Sequence, residues 1–111
     1  ISFDDFVEYS KSMFEYWTED DFASSFRKML TIEQFRSEEM QKLYQQYLVA
    51  GPASYVKALF ESIGIVNAKD KAARFYAVMH FYYSLYDGAA DKEKVKVEFV
   101  SAIKSLVQDL A

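Results

Sequence analysis

Phe75-Tyr76-Ala77-Val78-Met79-His80-Phe81-Tyr82-Tyr83-Ser84-Leu85-Tyr86-Asp87-Gly88 is the most informative run in this chain. It contains no proline, and its only glycine closes it. Phe75, Met79, Tyr82 and Tyr86 recur at helical spacing and share one face. Ala77, Phe81 and Leu85 make a second line, and Tyr76, His80, Tyr83 and Asp87 a third. A helix that is apolar on nearly every side is normally buried on nearly every side. The pattern predicts a central helix opened by Asn67 and running to about Asp87, covered by its own chain or by a partner subunit.

The flanking segments fit that centre. Downstream, Gly88 and Asp91 mark a link, and a last helix follows over roughly Lys92 to Leu110. Phe99, Ile103, Leu106 and Leu110 repeat there as a packing seam, which Val95, Val100 and Val107 widen. Two successive helices thus carry surplus apolar surface, the pattern of an association face. Phe75, Met79, Tyr82 and Tyr86 are assigned to that face with Phe99, Ile103, Leu106 and Leu110.

Upstream, Gly64 ends an earlier helix as a C-terminal glycine. Gly51-Pro52 interrupts the segment between Ser37 and Gly64. A proline there has no donor for the carbonyl of Leu48, and the apolar stripe rotates by roughly a quarter turn across it. One kinked helix is expected in preference to two. Before it, Ser37 is a helix cap. A first helix over Asp4 to Trp17 and a second capped by Thr18 precede these, with Phe22, Phe26, Met29 and Leu30 as the second helix's apolar stripe. Thr31 and Gln34 repeat a cap signal, predicting a short separate turn from Ile32 to Arg36.

Composition narrows the classes. The 111 residues are 51% apolar, which excludes disorder and gives one domain with a substantial core. Three glycines and one proline leave little material for turns, so the fold class is all-α, with about five or six helices. The absence of Cys removes disulfides, zinc fingers, iron–sulfur sites and thiol chemistry. A net charge of −4 argues against a phosphate-gripping surface. No apolar run reaches the length of a membrane span, and a cytoplasmic location is expected. The first residue is Ile rather than Met, so a piece of a longer chain is expected.

The segment Phe26-Arg27-Lys28-Met29-Leu30-Thr31-Ile32-Glu33-Gln34-Phe35-Arg36-Ser37-Glu38-Glu39 resembles a stretch of the C-terminal regulatory domains of TetR-type transcriptional repressors. The helix that leaves Asp70 and Ala72-Ala73, closes at Tyr86-Asp87-Gly88 and precedes an amphipathic terminal helix is also similar to that family. The resemblance covers essentially the whole chain and lies in the order of elements more than in any single residue. It implies an all-helical domain binding a small apolar or aromatic ligand. It implies a homodimer in which the last two long helices pair into a four-helix bundle. It implies DNA binding through an N-terminal helix-turn-helix domain that these residues do not include.

Candidate ligand contacts are Met13, Phe14, Trp17, Phe26, Phe60, Tyr76, His80 and Tyr83. Met and aromatic side chains with few polar groups are the usual lining of ligand cavities, and ordinary core packing is the alternative for each. Tyr76, His80 and Tyr83 are polar tips on an apolar helix that need partners. No nucleophile or carboxylate pairs with His80 by spacing, so no catalytic residue and no enzyme activity is expected. Position 77, where a diiron helix would carry Glu, is Ala. The acidic groups Glu19-Asp20-Asp21 and Glu38-Glu39 sit at helix starts, where the helix dipole accounts for them. No metal or cofactor is expected. A helical protein-association domain without a cavity is the competing reading.

Overall fold

In the computed structural model, which describes residues 2–110, six helices follow one another with short links. They are α1 (Phe3–Glu19), α2 (Asp21–Glu33), α3 (Glu38–Leu48), α4 (Ala50–Ser62), α5 (Ala68–Gly88) and α6 (Lys92–Gln108). No strand occurs among the described residues.

The helix starts are built from local hydrogen bonds. Ser2 caps α1: its Oγ accepts from the N–H of Asp5 at 3.1 Å, and the Asp5 carboxylate accepts from the N–H of Ser2 at 3.2 Å. Ser37 caps α3 by accepting from the N–H of Met40, and Asp91 caps α6 by accepting from Lys94. Gly64 ends the α4 segment at φ +80°, a conformation that suits glycine.

Two expected caps are not caps. α1 runs past Thr18 to Glu19, and the Thr18 hydroxyl donates back to the carbonyl of Phe14 at 2.6 Å. Asp20 occupies the cap position of α2. Thr31 likewise donates to the carbonyl of Arg27, so α2 continues through it to Glu33 and no separate helix forms there. A hydroxyl inside a helix finds its own preceding turn as readily as a free N–H.

The Gly51-Pro52 region forms two helices rather than one kinked helix. Val49 breaks the helical dihedrals at φ −133°, ψ −84°, so the joint is a single residue. Pro52 stands in the first turn of α4, where its missing donor costs nothing. Gly51 lies so close to α3 that a Cβ would run into the carbonyl of Gln46.

α5 is the centre of the molecule and packs against α1, α4 and α6, while α2 and α3 pair beside α1 and α4. The principal core gathers Phe6, Phe14, Phe60, Phe75, Phe99 and Ile103 among others. Phe14 stacks on Phe99 with ring centroids 4.2 Å apart and on Tyr83 at 5.6 Å. A smaller cluster of Leu30, Tyr44 and Leu48 lies beside it, and Trp17 packs against both. The Cα extents are 40 × 34 × 18 Å. A thickness of 18 Å accommodates about two layers of helices at 8–10 Å spacing. α5 therefore cannot be surrounded, and Phe81 on its outer side is 59% exposed.

Most of the side chains assigned from sequence to an association face are taken up within the chain itself. Phe75, Met79, Phe99, Ile103 and Leu110 are buried in the chain's own core. Tyr82, Tyr86 and Leu106 are half-buried against it, with Tyr82 edge-on to Phe99 and Tyr86 edge-on to Phe14. The five buried side chains have no surface left for a second chain. Phe81, Leu85 and Val97 are the large apolar groups that α5 and α6 leave exposed.

Candidate functional site

A cavity of about 310 Å³ opens between α1, α3, α4 and α5. The first helix contributes Tyr9, Met13 and Trp17, at three- and four-residue steps along one face. The α3–α4 joint contributes Gln46, Tyr47, Leu48, Gly51, Pro52, Tyr55 and Val56, and α5 contributes Phe75, Tyr76, Met79 and Tyr83. The break at Val49 makes this space. A continuous helix would carry one straight flank past α5, whereas two helices meeting at a corner leave a recess inside it.

Of the expected ligand contacts, Met13, Trp17, Tyr76 and Tyr83 line the cavity. The other four do not. Phe14 and Phe60 are sealed in the core at 0% and 1% exposure. Phe26 packs edge-on against Tyr47 and stacks with Phe22. His80 faces away, into a cleft with Arg27, Thr31, Ser84 and Asp87. Phase along α5 is the reason: Tyr76, Met79 and Tyr83 follow one line on the helix, and His80 is rotated off it. Phe75 and Met79, assigned from sequence to a dimer face, are cavity walls. Tyr9, Tyr55 and Gln46 carry no sequence signal, because each is an ordinary amphipathic helix position; Gly51-Pro52 is the local signal that points at this corner.

No charged side chain lines the cavity among the described residues. Its polar atoms are mainly phenols. Burial pushes the Tyr83 hydroxyl well above its ordinary pKa, and the neighbouring Tyr76 adds to this. Tyr76 is raised by burial and then by Tyr44, and Tyr9 by burial and then by Tyr55. All three are therefore neutral hydroxyl groups at ordinary pH. Tyr9 and Tyr55 also hold their rings 6.1 Å apart at the mouth.

Behind this wall stands the buried charge of the molecule. Arg27, 6% exposed, forks onto Asp87 with bonds of 3.0 and 2.7 Å and donates its Nε–H to the carbonyl of Trp17 at 3.0 Å. Its guanidinium lies 5.0 Å from the Tyr83 ring centroid. Tyr83 thus has the cavity on one side and the ion pair on the other. His80 lies close by, with its Nε2 3.5 Å from the Tyr44 hydroxyl. Burial lowers the His80 pKa, and the charge of Arg27 lowers it further.

No helix among the described residues is long and apolar enough to cross a membrane. No protein-family model, curated protein or solved structure matches the chain.

Proposed function

We propose that the chain is the effector-binding and dimerisation domain of a TetR-type transcriptional regulator. Its effector is a small apolar or aromatic molecule held between α1, α3, α4 and α5. The observation that carries this reading is the uncharged cavity of about 310 Å³, walled by Tyr, Trp, Phe and Met. That volume lies at the small end of the roughly 300–1,000 Å³ typical of ligand sites. Occupancy would favour one spacing of α1 relative to α5, and through a dimer would shift the spacing of DNA-binding domains outside these residues.

Thermal denaturation in the presence of a broad hydrophobic library tests the reading. A ligand at about 100 times its Kd adds about 2.7 kcal/mol, a rise of roughly 10 °C or more in Tm for a domain of this size. Met79→Trp, which fills the cavity from α5, should abolish that rise. Absence of any saturable stabiliser would remove the sensor assignment.

A second reading, a helical association domain, is favoured by Phe22 and Phe35, which stand 74% and 85% exposed near the two ends of α2. It is distinguished by a partner interaction that Phe35→Ser removes and Met79→Trp leaves intact.

A further inference from the structure

Two side chains in the cavity wall have unfinished hydrogen bonding. Tyr76 and Tyr83 are 8% and 4% exposed. Among the described residues neither hydroxyl has a hydrogen-bond partner, yet neither is sealed within packed atoms. Buried tyrosines ordinarily place their O–H on an acceptor. Tyr44, their neighbour, has His80 Nε2 3.5 Å from its hydroxyl. Tyr76 and Tyr83 both line the recess, Tyr83 also bordering the His80 cleft, and a molecule filling the recess can supply the acceptor they lack.

The same wall selects against charge. Among the described residues no Lys, Arg, Asp or Glu side chain reaches the cavity, and Arg27 behind it is already neutralised by the bidentate Asp87. A buried anion or cation would stand unpaired there, a state that costs far more than a neutral polar group. A plain hydrocarbon would leave both phenols unmatched.

Building on the effector-binding reading above, we infer that the effector is a neutral, flat, largely aromatic molecule carrying a carbonyl-type acceptor, and that Tyr76 and Tyr83 are the donors that select it. Gln46 and the phenols of Tyr9, Tyr47 and Tyr55 are further polar side chains in the lining.

Four naphthalenes substituted at the same ring position test this by calorimetry: acetylnaphthalene, its planar hydrocarbon isostere isopropenylnaphthalene, naphthoate and trimethylnaphthylammonium. Acetylnaphthalene should bind about tenfold or more tighter than isopropenylnaphthalene. That preference should shrink to near parity in the Tyr76→Phe/Tyr83→Phe double variant, which keeps ring volume and so keeps affinity for the hydrocarbon. Equal binding of ketone and hydrocarbon, or a preference that the double variant leaves unmoved, overturns the ligand class while leaving the cavity assignment standing. Tightest binding of the carboxylate or the ammonium ion also overturns it. Binding of none of the four, with the variants folded, overturns the cavity assignment itself.

Discussion

Arg27 and Asp87, sixty residues apart in the chain, are joined by two parallel hydrogen bonds that tie α2 to the end of α5. The same guanidinium also holds the last turn of α1 through the carbonyl of Trp17. One buried side chain therefore fixes three helices at the point where the cavity wall begins.

The two halves of this pair should respond unequally to substitution. Asp87→Asn leaves a guanidinium buried without its counter-charge and should cost about 3 kcal/mol, the lower end for breaking a buried pair, because the Asp87 side chain keeps 28% of its exposure. Arg27→Met leaves a carboxylate that can turn to water, and should cost less. Urea unfolding of both variants checks the order.

Gly51 sits where α4 is pressed against the end of α3. Gly51→Ala should destabilise by roughly 1–3 kcal/mol, as overpacking does, because backbone is the obstacle. Gly88→Ala meets nothing within 4 Å and should be neutral or slightly stabilising. Paired thermal melts separate them.

Phe14 is a core residue outside the cavity lining. Phe14→Ala should cost about 3–5 kcal/mol, from the loss of its stacks on Phe99 and Tyr83. Phe14→Leu should retain most of the stability and all of the ligand affinity, measured on the same sample by melting and calorimetry.

His80 makes stability depend on pH. Its folded pKa is depressed below the ordinary imidazole value of about 6.5. The unfolded chain therefore takes up the proton first as pH falls. The contribution is complete above about pH 6.5 and is lost as pH falls from there through the folded value. Urea midpoints measured between pH 7.5 and 5, roughly spanning that window, should decline less steeply in His80→Gln than in the parent.

The face left open on α5 and α6 predicts the association behaviour. Under the proposed homodimer, Phe81→Glu with Leu85→Glu should yield monomers in sedimentation. Phe99→Leu, deep in the core, should leave the association state unchanged. The reverse pattern would return the interface to the seam read from periodicity.

Much of the helical outline was legible in the sequence. The Ser37 cap, Gly64 at a helix end and the all-round apolar run after Asn67 each act through neighbours in the chain, and local rules see them. α2 shows where that stops. Its apolar residues Phe22, Phe26, Met29 and Leu30 suggest an inward stripe, yet its buried residues are Ala23, Ser24, Arg27 and Leu30. The helix is turned so that Arg27 can reach Asp87 and Trp17, and Phe22 is left in water. A partner sixty residues away outweighs the local pattern, and no periodicity records it.

Local rules in the chain specify an all-helical fold, the position of most helix ends and a surplus of apolar surface on the last two helices. How that surplus is divided depends on the packed molecule. Phe75, Met79, Phe99 and Ile103 close the chain's own core, Phe81 and Leu85 stay outside, and Tyr76 and Tyr83 face a recess. The physical reason is phase. Helical spacing says which side chains share a face, but which face turns inward depends on the packing of every helix at once. In a body only 18 Å thick, one side of the central helix must remain uncovered.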